Sequence, residues 1–264
     1  MTVRAKSFAF VTLAALAVCR PCAADISTWT VTGVDSGSGD TVSSSAQFTA
    51  SGGTLTIVLT NTTAGGTLVK KDLLSGLVFS LTNHSSDPTL SISSTAMSSG
   101  SRLRQSNGTY TTGDNINGSY SIAQNPGGTL GTNTAVPPTT FNYEYGVSAV
   151  GASGIFPSPT LGGGGENYSI AATGTTYTGG GFTSSAFPLV ENSVTIVLSG
   201  FGSFTASQIS SVGFFYGSAP DSLNAGTHVS VPEPTGLRML AIGLAVVAAR
   251  RRFWARRSNR AMAG

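Results

Sequence analysis

Charged residues make up only 9% of this 264-residue chain, and there are just two cysteines and two histidines. Low charge beside 40% hydrophobic content excludes an intrinsically disordered chain, which combines low hydrophobicity with high net charge. Both thiols, Cys19 and Cys22, fall within the first 24 residues, so removal of that segment leaves a body with no thiol and no disulfide. The two histidines, His84 and His228, are too few for a zinc-type centre, which takes three or four His, Cys or acid ligands. Long apolar runs are missing as well. Phe8–Val18 and Met239–Ala249 are each eleven residues, against about 20 for a membrane-spanning helix.

The formal charge of +3 averages three unlike regions. Arg4, Lys6 and Arg20 lie near the N-terminus, and seven arginines lie after residue 231. The body between holds four strong bases, Lys70, Lys71, Arg102 and Arg104, against ten acids, a net of −6. A sequence pI near 9.0 therefore says nothing about the body. Without a basic patch, nucleic-acid binding is excluded as a reading.

What the chain has in quantity is Gly (34 residues), Ser and Thr, interleaved with Val, Ile, Leu and Phe. Apolar residues in the body recur with period two, not 3.6. Leu55, Ile57 and Leu59 share a face within TLTIVLT, as do Val194, Ile196 and Leu198 within SVTIVLS. Leu77, Phe79 and Leu81 alternate in GLVFSL, and Val212, Phe214 and Tyr216 in SVGFFYG. Further strands are expected around 28–32, 46–50, 90–93, 141–150 and 168–171. Breakers such as Asn125-Pro126-Gly127-Gly128, Pro137-Pro138 and Gly162–Gly165 separate them. This pattern predicts an all-β fold: one β-sandwich domain at 25–231, jelly-roll or Ig-like, with one face of each sheet packed and the other wet. Long loops are expected at 100–140 and 151–167.

The two ends read as targeting segments. Arg4 and Lys6, the apolar run Phe8–Val18 and the small residues of Cys22-Ala23-Ala24 form the three parts of a secretory signal peptide, with cleavage after Ala24. An N-terminal helix of the folded domain is the bland alternative. At the other end, Val231-Pro232-Glu233-Pro234 precedes Met239–Ala249 and then Arg250-Arg251-Arg252. A basic cluster after an apolar helix stays on the cytoplasmic side, which keeps the body outside. Prolines around one acid hold the segment extended, so that a processing enzyme can grip it. A plain C-terminal anchor after a Pro-rich linker is the competing reading.

The order VPEP, apolar helix, arginine cluster resembles the PEP-CTERM sorting signal recognised by membrane peptidases called exosortases. The resemblance implies a Gram-negative bacterium that makes exopolysaccharide, and a tail removed near Pro232, Glu233 and Pro234. It divides the chain into a signal peptide (1–24), the body (25–231), a sorting signal with a transmembrane helix and basic stop cluster Arg250, Arg251 and Arg252 (232–257), and a cytoplasmic tail (258–264). Arg238 interrupts the apolar segment, and Pro234 to Arg250 covers only roughly 24 Å as a helix. The pieces SGGTLTIVLTNTT (51–63), DLLSGLVFSL (72–81), ENSVTIVLSGF (191–201) and SQISSVGFFYGS (207–218) are similar to a family of exosortase-dependent surface proteins. That second likeness implies surface location and no established chemistry.

Constellations for chemistry are sparse. His84 and Asp87 lie in a turn-like NHSSDP segment, better read as a solvated loop than as metal ligands. Asp35–Asp40 and Asp114–Gly118 are oxygen-rich loops that could touch Ca²⁺, but Asx-turn chemistry explains them equally. No nucleophile elbow appears. Asn61, Asn83, Asn107, Asn117 and Asn167 fit N-x-S/T, a pattern that abundant Ser and Thr produce by chance. Tyr110, Tyr120, Tyr143, Tyr145, Tyr168 and Tyr177 crowd the middle third; aromatic faces can stack on sugars, although core and cross-strand packing is the commoner use of Tyr in sheets.

The sequence thus predicts a non-catalytic protein without cofactor. It is exported through the inner membrane as an anchored precursor, cut by signal peptidase and an exosortase-type sorting peptidase, and delivered to the cell surface or beyond in association with exopolysaccharide. A carbohydrate-binding or adhesive module is the alternative, and a secreted hydrolase the third reading.

Overall fold

A computed structural model describes residues 24–35, 38–65, 67–82, 86–112, 115–125, 130–133, 139–149, 167–177, 187–217 and 222–229. The architecture is all-β, built on two large sheets. No α-helix occurs among the described residues; single 3₁₀ turns at Lys70–Asp72 and Ala206–Gln208 each lead into a strand.

One sheet has six strands: β1 (Asp25–Val34), β2 (Thr41–Ser51), β3 (Thr54–Asn61), β6 (Ser91–Met97), β16 (Ser193–Ser199) and β19 (Thr227–Val229). Their spatial order is β19-β1-β2-β3-β16-β6, antiparallel throughout. The expected alternation holds here. Leu55, Ile57 and Leu59 of β3 and Val194, Ile196 and Leu198 of β16 are fully buried, while their neighbours on the opposite face are half-exposed.

The second sheet has nine strands. Along its main path run β18 (Ser222–Ala225), β17 (Ile209–Tyr216), β5 (Leu74–Leu81), β13 (Ile170–Ala171), β15 (Leu189–Glu191), β7 (Arg102–Arg104) and β8 (Tyr110–Thr111). Off that path, β12 (Tyr145–Ala149) pairs with β5 and with β9 (Tyr120–Gln124). All its pairings are antiparallel except β13 with β15. Two small ribbons complete the fold: β4 (Thr67–Leu68) with β14 (Thr176–Tyr177), and β10 (Gly131–Asn133) with β11 (Thr139–Phe141).

The two sheets share one core. Phe48 of β2 meets Phe79 of β5 edge-on at 5.7 Å, and Phe79 stacks on Tyr145 at 5.1 Å. Offset and edge-to-face pairs of this kind add about 0.5–1.5 kcal/mol to the burial of the rings. Ser44 of β2 and Tyr216 of β17 also meet across the core, 2.7 Å apart, so neither buried hydroxyl lacks a partner.

Two expectations need correcting. The nine-stranded sheet has no wet face at its centre: Leu74–Val78 and Phe79 of β5 are all buried. Val78 and Phe215 point away from the shared core and form a second cluster with Ala123 and Leu130, flanked by Tyr143. Segment 100–140 is likewise not simply loop. It supplies β7, β8, β9 and β10, and its residues cover that second face. Close packing also fixes a glycine. A Cβ on Gly76 of β5 would collide with the carbonyl oxygen of Val147 and the backbone of Ser148, so β12 approaches β5 only because nothing is there.

Candidate functional site

The sorting residues Pro232, Glu233 and Pro234, the cluster Arg250, Arg251 and Arg252, and the signal segment before Ala24 lie outside the described residues, as does the expected transmembrane helix. No helix among the described residues is long and apolar enough to cross a membrane. Ala24 is described: it is exposed and stands immediately before β1. The last described strand, β19, pairs with β1 through Thr28 and Val229. Ala24 and Val229, the first and last described residues, therefore lie at one edge of the six-stranded sheet. His228 of β19 packs edge-on against Trp29 at 5.2 Å, which ties that edge to the core.

Of the candidate metal positions, His84 and Asp114 lie outside the described residues. Asp35 is fully buried, and its Oδ1 accepts the Ser38 backbone N–H at 3.0 Å, a local side-chain-to-backbone bond three residues on. Asp72, from a distant part of the chain, joins this loop by accepting the Ser38 hydroxyl and, at 2.8 Å, the Val69 N–H. Burial, with repulsion from Asp40 and Asp35, raises the Asp72 carboxyl above its ordinary value despite those two bonds. No group of three or more His, Cys, Asp or Glu among the described residues is placed to hold a metal. The loop is a structural knot. The other oxygen-rich loop keeps the same local chemistry, Asn115 accepting the Asn117 N–H at 2.8 Å.

The tyrosines do not gather into a platform. Tyr120 and Tyr145 are core residues whose hydroxyls donate to the carbonyls of Tyr168 (2.7 Å) and Pro88 (3.0 Å), and burial raises both phenols. Tyr143 and Tyr168 pack against the cores, and the side chain of Tyr177 is outside the described set. Tyr110 is exposed, but one face of its ring is covered by the Arg102 guanidinium at 3.7 Å. Arg102 is held there by Glu191 at 2.9 Å. Asn61, one of the N-x-S/T asparagines, is buried and donates to the Ile170 carbonyl at 2.9 Å, so it is no glycan acceptor in the folded protein.

Sequence reasoning missed the most extensive regular feature, the outer face of the six-stranded sheet. Opposite the buried residues, β2 presents Thr41, Ser43, Ser45, Gln47, Thr49 and Ser51. In register with it, β3 presents Thr54, Thr56, Val58 and Thr60, and β16 presents Thr195, Val197 and Ser199. Toward one edge β1 adds Thr30 and Thr32, with Ile26 and Val34 at its ends and Thr28 in register but with its hydroxyl buried; toward the other β6 adds Ser91, Ser94 and Ala96. No charged, aromatic or sulfur-bearing side chain stands among these positions. Adjacent hydroxyls touch, Ser91 with Ser199 at 3.1 Å, Thr62 with Ser43 at 3.1 Å and Ser98 with Thr195 at 2.8 Å. The signal was in the sequence as the residues between the apolar ones, TxTxxxT and SxSxQxTxS, once register aligned them.

Comparison with protein-family models, with curated proteins and with solved structures finds no match.

Proposed function

We propose that this protein is an exported, non-catalytic surface protein that an exosortase-type peptidase sorts by its C-terminal tail and that works in association with exopolysaccharide. The observation that carries the reading is the order of parts at the chain's end, Val231-Pro232-Glu233-Pro234, Met239–Ala249, Arg250-Arg251-Arg252, opposite an N-terminal signal segment. The two-sheet body is consistent with it. Its finer description is a sandwich of the jelly-roll or Ig-like kind, free of disulfides because both cysteines precede Ala24. The placement of Ala24 and Val229 at one sheet edge suits a domain that stays anchored during export and is trimmed at each end afterwards.

The test is a triple substitution, Pro232→Ala, Glu233→Ala and Pro234→Ala, in a strain that makes the protein. The expected outcome is accumulation of uncut precursor in the inner membrane, with signal-peptide removal unaffected. Surface delivery at the unsubstituted level would count against the sorting reading. A carbohydrate-binding module is the second reading, and the hydroxyl-lined sheet face favours it over the scattered tyrosines.

A further inference from the structure

We propose that the outer face of the six-stranded sheet is a docking surface for a neutral polysaccharide. The inference deepens the exopolysaccharide reading and takes the class of partner from it, but it stands on the face itself. Strands lie about 4.8 Å apart and same-face residues recur about every 6.8 Å along a strand. Thr and Ser at most of these positions therefore form a two-dimensional grid of hydroxyls across β1, β2, β3, β16 and β6.

Three properties of the grid select the partner. Each hydroxyl carries one donor and two acceptor sites, so the contacts among neighbouring hydroxyls leave capacity for a partner dense in both. A protein partner fits poorly, because protein interfaces favour aromatic, Met and Arg residues and are depleted in Ser. Charge decides the rest. The face carries no formal charge, while the body as a whole carries −6. An anionic polymer would be repelled by the body and find no cation on the face; a neutral hydroxylated one meets neither penalty. The threonines also bring pre-organisation, since branching at Cβ restricts χ1 and lowers the entropy lost on contact. Val58 and Val197, at the centre of the grid, offer small apolar spots for the C–H faces of sugar rings.

The experiment is co-sedimentation of the purified full-length chain with microcrystalline cellulose and with cross-linked dextran, both neutral, and with cross-linked alginate, which is anionic. Binding to at least one neutral matrix is expected, unchanged by high salt; binding to alginate through the arginine-rich C-terminal segment is expected to vanish in high salt and to be indifferent to substitutions on the face. Thr56→Lys combined with Thr195→Lys places two charges on the grid and should weaken binding at least tenfold, whereas Thr111→Lys on β8 should leave it unchanged. Thr56→Val with Thr195→Val keeps the branched shape, removes two hydroxyls and should weaken binding several-fold, which covers the case of a lysine variant that fails to fold. No binding to either neutral matrix would overturn the proposal. So would binding to alginate alone, binding indifferent to both double variants, or a dimer or ice-growth inhibition abolished by them in place of glycan binding. Sorting is not probed by this assay, so its failure leaves the reading of the tail intact, and failure of the tail reading leaves this result readable.

Discussion

On β3 of the six-stranded sheet every second residue is buried and the others face water; on β5 of the nine-stranded sheet nearly every residue is buried. The first strand reads Thr-Leu-Thr-Ile-Val-Leu-Thr, the second Leu-Ser-Gly-Leu-Val-Phe-Ser-Leu. Each holds a three-residue apolar run, Ile57-Val58-Leu59 or Leu77-Val78-Phe79, and the difference is the cover over its middle residue: Val58 stays half-exposed, while Val78 is buried with Ala123, Leu130 and Phe215. Leu77-Val78-Phe79 on β5 and Phe214-Phe215-Tyr216 on β17 place large side chains on both faces, and both faces must then be covered. Segment 120–143 supplies that cover through Ala123, Leu130 and Tyr143. The six-stranded sheet has no such obligation, and its free face keeps a uniform hydroxyl chemistry. One sheet carries stability on two sides; the other carries it on one side and leaves the second available for contact.

That comparison can be broken by substitution. The largest effect is expected at Phe79, which touches both Phe48 across the sheets and Tyr145 beside it. Phe79→Ala should cost about 3–5 kcal/mol in a denaturant titration. Phe215→Ala attacks the second face of the larger sheet and should cost about 3 kcal/mol, because that face is packed and not wet. A loss below about 1 kcal/mol there would show that the cover contributes little.

The Asp72 carboxyl gives a smaller, pH-dependent effect. Its value in the folded protein lies above the ordinary 3.8, chiefly through burial, so the folded state holds the proton longer than the unfolded chain. Stability from this group is therefore greatest below the unfolded value and falls as pH rises through the raised folded one. Asp72→Asn should remove that fall, seen as a flatter dependence of the thermal midpoint on pH between acid and neutral conditions. Asp35 and Asp40 face the same group and add to the rise by repulsion. The smallest effect is expected at Val58 on the wet face, where Val58→Thr should stay within about 0.5 kcal/mol of the parent. Equal losses at Val58 and Phe215 would erase the distinction between the sheets.

Much of the fold was legible because period two is a local signal. The strands around Leu55, Ile57, Leu59 and Val194, Ile196, Leu198 follow directly from it. The covered face of the larger sheet did not. It depends on pairing β5 with β12 and β17 from distant parts of the chain, and on short strands in a Gly-, Asn- and Pro-rich segment that gives little periodicity to read. For the tyrosines the sequence leaves core packing and sugar stacking open, and Tyr120 and Tyr145 take the first. Their hydroxyls reach the carbonyls of Tyr168 and Pro88, contacts that sequence spacing does not report. The hydroxyl face was invisible for the opposite reason: each Thr or Ser is unremarkable alone, and only register assembles them. The proposed processing residues, Pro232, Glu233 and Pro234, lie outside the described residues, and their order along the chain is what supports them.

The proposed function rests on export followed by trimming at both ends, leaving the two-sheet body. Its test is the intact mass of the protein recovered from outside the cell and from the membrane, in a strain with the exosortase and in one from which it is deleted. An extracellular form lacking residues 1–24 and the segment beyond Pro234 is expected in the first strain, and a membrane-bound form that retains the tail in the second. A mass that includes residues 235–264 in both strains would contradict it.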